Sequence, residues 1–202
     1  MKVGSLVRAG ALAAASAGVG YLALETDRGR EADADLFAAV NQEHGAGPDR
    51  LFAGITEVGS LYAVGAAAAV LAATGRRRAA GRAITAAGVT WLAGRWLKSL
   101  VHRPRPYVAD PGATRAMIAP PVGTSWPSSH PAVFTAFTTV AARELHLGAA
   151  SRATLGAVGL TLAASRVYLG VHYPSDVVSG VLAGRAVAAL WPPAPQGVVR
   201  DG

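Results

Sequence analysis

Six apolar stretches, separated by polar segments, limit how this chain of 202 residues can fold. They cover residues 3–24, 51–74, 79–97, 131–142, 153–170 and 174–191. A membrane-spanning helix needs about 20 mostly apolar residues, and the fourth stretch reaches that length only if its helix continues through Arg143 and Glu144 toward Leu147. Only 15% of the residues are charged, whereas about 25% is usual for a soluble domain. We therefore expect an all-α bundle of six transmembrane helices, with a soluble bundle of very apolar helices as the alternative.

Basic residues predict the orientation of these helices, because they cluster near the chain ends and in alternate loops, which lie on the same side of a membrane. They are Lys2, Arg8, Arg76, Arg77, Arg78, Arg82, Arg143, Arg152 and Arg200. The positive-inside rule assigns them, and both termini, to the cytoplasm. The mostly acidic segment 25–50 and the segments 98–130 and 166–176 then share the outer side.

The first stretch is interpreted as a retained helix. Lys2 and Arg8 could begin a signal peptide, but the small residues at 13–17 come too early for a cleavage site after a full apolar region. We therefore treat residues 1–202 as a single membrane-embedded domain with an outer arm at about 25–50.

The composition also restricts the partners. The formal net charge is +7, but the basic residues lie between apolar segments and not along one polar face, so we expect no nucleic-acid partner. Anionic lipids or a phosphorylated substrate explain the charge better. The chain has no cysteine, which excludes disulfides and thiolate metal sites. Nothing in the sequence indicates the oligomeric state.

A first polar cluster follows the third apolar stretch. Lys98 closes that stretch, and Arg105 lies between two prolines that stop the helix and stiffen the chain. Arg offers a planar fork of donors and Lys a point charge, which together suit a phosphate. Taken alone, the pair is better explained as cations that hold a helix end at the membrane surface. His102 and Arg103 are interpreted as interfacial, with a position facing the substrate as the alternative, and as not catalytic.

A second cluster precedes the fourth stretch. Ser128 and Ser129 lie where the start of a helix leaves backbone N–H groups free to bind an anion, although serine is also a common N-cap. His130 would stand beside a bound anion as a proton donor.

The third cluster is the most specific. Arg166 ends the fifth stretch, His172 follows in the loop, and Asp176 begins the sixth after a proline. A carboxylate bonded to one imidazole nitrogen gives the ring the tautomer that a nucleophile needs, and Asp176 is spaced to do this for His172.

Two other sites can be drawn from the same residues. Ser128, His172 and Asp176 could form a hydrolase triad, but no G-x-S-x-G turn accompanies them. His130, His172 and Asp176 could bind a metal, but the neighbouring cations would oppose it. A phosphate site uses every residue of the three clusters.

Together the clusters resemble the three-part signature of the type 2 phosphatidic acid phosphatase (PAP2) superfamily, which reads K-x6-R-P, P-S-G-H and S-R-x5-H-x3-D. The matching segments are Lys98-x6-Arg105-Pro106, Pro127-Ser128-Ser129-His130 and Ser165-Arg166-x5-His172-x3-Asp176. The resemblance implies an integral membrane phosphatase with a PAP2-type six-helix fold and a catalytic core at about 95–190. Ser129 replaces the Gly of the family pattern. Gly permits positive φ and close approach to a ligand, so we expect activity to survive if φ is negative at Ser129.

The resemblance also implies a role for each residue. His172 would attack phosphorus and form a phosphohistidine, Asp176 would orient His172, and His130 would protonate the leaving oxygen and then activate water. The phosphate would be bound by Lys98, Arg105, Ser128, Ser129 and Arg166. No metal or other cofactor is expected, since three fixed cations stabilise the charge of the transition state.

The implied substrate is a phosphorylated membrane lipid. With an outward-facing site in a small bacterial plasma-membrane protein, a polyprenyl diphosphate or a related envelope lipid suits best. Phosphatidic acid, phosphatidylglycerol phosphate, phosphoryl transfer to another acceptor, or lipid binding without catalysis are alternatives.

Overall fold

The structure is a computed structural model that describes residues 3–191. Lys2 and Arg200, which entered the prediction of orientation, lie outside the described residues. The described part forms nine α-helices and one 3-10 turn and contains no strand, which confirms the all-α prediction. The helices are α1 (Val3–Glu25), α2 (Asp27–Val40), α3 (Ala46–Thr56), α4 (Leu61–Ala73), α5 (Arg77–Leu100), α6 (Pro106–Ala109), α7 (Ser129–Glu144), α8 (Ala149–Tyr168) and α9 (Pro174–Ala189). The 3-10 turn, Glu57–Gly59, joins α3 to α4.

The helix boundaries follow local signals. α7 continues through Arg143 and ends at Glu144, short of Leu147, because His146 adopts a left-handed backbone with φ of 51°. The second apolar stretch is divided at the 3-10 turn, where the Ser60 hydroxyl accepts from the Ala63 N–H at 3.1 Å and caps α4. The two halves of that stretch meet at 63°.

The predicted count of six spans is not confirmed. By length and composition, α1 alone among the described helices could cross a membrane, and the bent pair α3–α4 makes a second only if it is one span. The physical reason is length and charge. α7 and α9 have 16 residues each, about 24 Å at 1.5 Å per residue, which is shorter than the roughly 30 Å of a bilayer core. α5 is longer but carries five basic residues: Arg77, Arg78, Arg82, Arg95 and Lys98.

Small side chains bring α5 and α7 together. Ala83, Ala86 and Ala87 on α5 are completely buried, in one apolar core with Val133 and Phe137 of α7. With little side-chain volume between them, the two helices lie close along their length. The end of α5 is thereby held beside the start of α7.

α9 packs against both α7 and α1. A Cβ on Gly180 would lie 2.3 Å from the Ser128 carbonyl oxygen, so only glycine allows α9 this close to the start of α7. On its other side, the Ser179 and Ser16 hydroxyls each donate to the other residue's carbonyl, at 3.1 and 2.9 Å. α1 is therefore an integral part of the bundle in this structure.

The predicted acidic arm at 25–50 is not a free segment. It forms α2 and the start of α3, and Asn41 donates to the carbonyls of Arg115 and Tyr168 at 3.0 and 2.7 Å. Asp49 binds Arg115 in an ion pair at 2.6 Å. The arm therefore covers the end of the bundle from which the loops 101–128 and 169–173 emerge.

Candidate active site

Four segments meet at this end of the bundle, and they bring together all eight predicted site residues. The segments are the end of α5 with its following loop, the start of α7, the turn from α8 to α9, and the 3-10 turn after α3. Backbone bonds join them: the Ser128 N–H donates to the Asp176 carbonyl at 3.0 Å, and the Ser125 N–H donates to the Arg103 carbonyl at 2.9 Å.

The turn between α8 and α9 presents His172 to the site. Gly170 has φ of +76°, and a Cβ there would also lie 2.6 Å from the Arg115 carbonyl oxygen, so the position requires glycine. The N–H groups of Val171 and His172 both donate to the Arg166 carbonyl at 3.2 Å. These bonds fix the backbone position of His172, and the residue is 2% exposed.

The neighbours of His172 define its tautomer. Arg105 Nη1 lies 3.1 Å from Nε2, and because a guanidinium only donates, Nε2 must accept. The proton of a neutral ring is then on Nδ1, which lies 3.5 Å from Asp176 Oδ2 and 3.3 Å from the Ser125 hydroxyl. Burial lowers the pKa of His172 to about 3, so the ring is neutral at neutral pH. Nε2 therefore carries an available lone pair beside a cation.

Asp176 is held by four groups. Its Oδ1 accepts from Arg103 Nη1 at 2.7 Å, and its Oδ2 accepts from the Tyr173 N–H at 2.9 Å and from the Ser125 hydroxyl. Its own N–H donates to the Tyr173 carbonyl at 3.1 Å. The carboxylate is completely buried. Its position relative to His172 is therefore set by Arg103, Ser125 and the first turn of α9.

Arg103 connects this carboxylate to α2 in the acidic arm. The sequence interpretation missed this connection. Arg103 Nη2 binds Asp33 of α2 at 2.6 Å, and its guanidinium lies 4.1 Å from the ring centre of Tyr173. Asp33 also accepts from the N–H and hydroxyl of Ser175 at 2.8 and 2.6 Å. Burial opposes the charge of Arg103, but Asp176 and Asp33 raise its pKa above the ordinary value. Arg103 does not extend into solvent as a helix-end anchor: it is 7% exposed and forms two buried ion pairs, whereas His102 is exposed.

The three remaining cations of the site, Lys98, Arg105 and Arg166, form no ion pair with a carboxylate of the described chain. Lys98 donates to the carbonyls of Thr124 and Ser125 at 2.7 and 2.9 Å. Arg105 donates to those of Gly123 and Val171, both at 2.9 Å, and burial lowers its pKa. Arg166 donates to the Thr56 hydroxyl at 2.6 Å. Lys98, Arg105 and Arg166 lie close enough to repel one another. A cluster of this kind favours a bound anion.

Two buried polar atoms also indicate a place for an anion. Arg166 Nε and the Ser128 hydroxyl have no hydrogen-bond partner among the described residues, although both residues are almost completely buried. A buried donor without a partner is costly, and phosphate oxygens would accept from both.

His130 and Ser129 lie in the first turn of α7. The positive field of Lys98, Arg105 and Arg166 reaches the His130 ring. Ser129 is not among the residues with positive φ, and its hydroxyl points toward Gly94 of α5, 3.8 Å from the position of a Cβ there. The replacement of glycine by serine is therefore accommodated without backbone strain.

The two alternative sites lack the required contacts. In a hydrolase triad the serine must bond to the imidazole nitrogen opposite the carboxylate. The Ser128 hydroxyl has no hydrogen-bond partner among residues 3–191, and Ser125 lies on the Asp176 side of His172. The metal site would need His130, His172 and Asp176 together. Within residues 3–191 no group of three such side chains could hold a metal ion.

Comparison with known proteins shows what this chain is similar to. Two decaprenylphosphoryl-5-phosphoribose phosphatases from Mycobacterium tuberculosis strains are 39% identical over 95 residues, which are 46% of this chain and 49% of each relative. The chain thus covers about half the length of the curated relatives it matches.

Two solved structures share the fold. The crystal structure of Aquifex aeolicus LpxE has a TM-score of 0.69 at 24% identity, covering 78% of this chain and 94% of that one. The first transmembrane PAP2 type phosphatidylglycerolphosphate phosphatase from Bacillus subtilis has a TM-score of 0.66 at 24% identity, covering 93% and 92%. The family model of the PAP2 superfamily matches residues 79–199, more than half of the chain. From this match, the chain belongs to the PAP2 superfamily.

Proposed function

We propose that the protein is an integral membrane phosphatase that removes a phosphate group from a lipid through a phosphohistidine at His172. The observation that carries the proposal is the cluster of Lys98, Arg105 and Arg166 beside His172 Nε2, none of which forms an ion pair with a described carboxylate. Such a site matches the charge of a phosphate and of its transition state.

The first step uses the lone pair of His172. Nε2 attacks phosphorus while the bond from phosphorus to the lipid oxygen breaks, and His130 gives a proton to that departing oxygen. As the ring becomes positive, Asp176 stabilises it from the Nδ1 side. Lys98, Arg105 and Arg166 bind the phosphoryl oxygens, with the Ser128 hydroxyl and the N–H groups of Ser129 and its neighbours as further donors.

The second step restores the enzyme. His130, now neutral, takes a proton from water, whose oxygen attacks phosphorus and breaks the bond to Nε2. Inorganic phosphate leaves, and His130 carries its proton while an anion in the site offsets the charge of Lys98, Arg105 and Arg166. Every charge change in this scheme is met by a protein group, so we propose that catalysis needs no metal ion.

Membrane placement belongs to the same proposal. We propose six membrane segments, one of them the bent pair α3–α4, with both termini in the cytoplasm and the site on the outer side of a bacterial plasma membrane. The basic loop residues support this orientation. The short helices α7 and α9 would fit if the site end of the bundle lies within the interfacial region, where α2 covers it.

The proposed substrate class is a polyprenyl-linked envelope lipid. The names of the Mycobacterium relatives specify a decaprenyl-linked phosphoribose, which is a phosphomonoester on a polyprenyl lipid. We therefore propose a phosphomonoester of this kind beside polyprenyl diphosphate.

The test is phosphate release by the purified chain in detergent. The panel contains polyprenyl diphosphate, a polyprenyl-linked sugar phosphate, phosphatidic acid and phosphatidylglycerol phosphate, each with and without a chelator. We expect release in chelator, preference for a polyprenyl substrate, and loss of turnover by His172→Ala. The control is His146→Asn, at the opposite end of α7, since Asn tolerates the left-handed backbone there. Full activity of His172→Ala would refute the mechanism, and substrate binding without release by the wild type would refute the phosphatase.

A further inference from the structure

A second group of basic residues lies at the other end of the same helices. A cavity of about 470 Å³ opens between α7, α8, α9 and α1. Four arginines line it: Arg8, Arg143, Arg152 and Arg185. Arg152 and Arg166 are 14 positions apart on α8, about 21 Å at 1.5 Å per residue, so the arginine end of this cavity is separate from the candidate active site.

The charge of these arginines is not compensated within the described chain. Arg143 donates to the carbonyls of Ala188 and Trp191 at 2.7 and 3.3 Å, and Arg152 donates to that of Leu147 at 2.8 Å. None of the four forms an ion pair with a described carboxylate. The other three lie close enough to Arg143 to act on its charge. A converging set of cations with only neutral partners favours an anion.

The remaining wall of the cavity combines apolar side chains with Thr135, Thr138 and Thr139 of α7. It contains Phe134 of α7, Leu155 and Leu160 of α8, and Val181 of α9. Leu160 is 70% exposed, and a Cβ on Gly156 would meet no atom within 4 Å, so the groove along α8 is open to the outside. A small water-soluble anion would need only the arginines. A lipid with an anionic headgroup would use both the charged and the apolar parts.

We propose that this cavity binds one anionic phospholipid, with its phosphate against the four arginines and an acyl chain along Leu155, Leu160 and Phe134. Basic pockets between transmembrane helices on the cytoplasmic side bind lipid headgroups of this kind. By bridging the ends of α1, α7, α8 and α9, the lipid stabilises the bundle. The inference rests on the proposed membrane insertion and not on catalysis.

Binding is measured by native mass spectrometry on the delipidated full chain in neutral detergent. The probes are phosphatidylglycerol, phosphatidylcholine with the same chains, and inorganic phosphate. The test variant is Arg8→Gln with Arg185→Gln, since both side chains are exposed and form no hydrogen bond with described residues. The matched control is Arg76→Gln with Arg77→Gln, which removes the same charge from exposed arginines outside the cavity.

We expect one phosphatidylglycerol bound tightly, phosphatidylcholine at least tenfold more weakly, and little inorganic phosphate. The test variant should lose roughly 30-fold in phosphatidylglycerol affinity, from about 1 kcal/mol per basic residue near an anionic lipid, while the control stays within threefold of the wild type. Equal binding of the two lipids, equal binding of inorganic phosphate, or an unchanged test variant would each overturn the proposal. Phosphate release from substrate in detergent without added phospholipid should be unchanged in the test variant. Loss of phospholipid binding and loss of phosphatase activity are therefore measured separately.

Discussion

Replacement of Arg103 by Gln tests whether this residue positions Asp176 without touching substrate. In the structure its donors are directed at Asp176, Asp33 and Ser175, and the residue is 7% exposed. Gln keeps some of the side-chain volume but removes the positive charge between two buried carboxylates. Asp33 and Asp176 then repel each other without compensation.

The expected magnitude follows from that geometry. Removing one partner of a buried ion pair costs about 3–5 kcal/mol, and for a chain of this size 1 kcal/mol shifts the melting temperature by roughly 2–4 °C. Arg103→Gln should therefore lower the apparent melting temperature by roughly 6–20 °C. A displacement of Asp176 by about 1 Å should lower kcat by about 100-fold. KM should stay within about twofold, because Arg103 is not among the proposed phosphate ligands.

The assay combines thermal unfolding in detergent with steady-state phosphate release. Arg28→Gln is the control, since Arg28 is exposed on α2 and carries the same substitution. Adding Asp33→Asn to Arg103→Gln removes one of the two unpaired charges, so the double variant should be more stable than the sum of the single effects by about 1 kcal/mol. An unchanged melting temperature and kcat in Arg103→Gln, or a large rise in KM alone, would refute the positioning role.

Three further outcomes follow from the structure. Burial lowers the pKa of His172 to about 3, so the unfolded chain, with an ordinary value near 6.5, takes up the proton first as the pH falls. The contribution of His172 to the free energy of unfolding is therefore fully present above about pH 6.5. Below that pH it falls by about 1.4 kcal/mol per pH unit. Melting curves from pH 8 to 5 should therefore fall less in His172→Gln, and parallel curves would contradict this. Ser129→Gly should change kcat/KM by less than about threefold, because the serine is unstrained; a tenfold gain would show that its hydroxymethyl group obstructs the site. Gly180→Ala should lower the free energy of unfolding by about 1–3 kcal/mol and reduce activity, because the new Cβ meets the Ser128 carbonyl. The control Gly156→Ala, in open space, should change the free energy of unfolding by less than about 0.5 kcal/mol. Equal melting temperatures of the two variants would contradict the close packing of α9 on α7.

Local patterns were sufficient to predict most of the helices. The apolar runs and the prolines at 104, 106 and 174 are short-range signals, and the observed α5, α8 and α9 follow them within a few residues. The bend between α3 and α4 was not predicted, because hydropathy along 51–74 hardly changes at the 3-10 turn. The number of membrane spans could not be settled from hydropathy either. Apolar stretches predict membrane helices by their composition, but α7 and α9 end after 16 residues.

By itself, the sequence determined the all-α class, the family signature and the identity of the eight proposed site residues, because these depend on residue type and spacing. Only the tertiary structure decided how Asp176 is held. Arg103 is 70 positions from Asp33 and 73 from Asp176 in the chain, and Ser125 is 47 from His172, so no local pattern marks them as partners. The burial of Asp33 within the acidic segment 25–50 could not be predicted for the same reason: a buried carboxylate and an exposed one look identical in the sequence until the chain has folded around them.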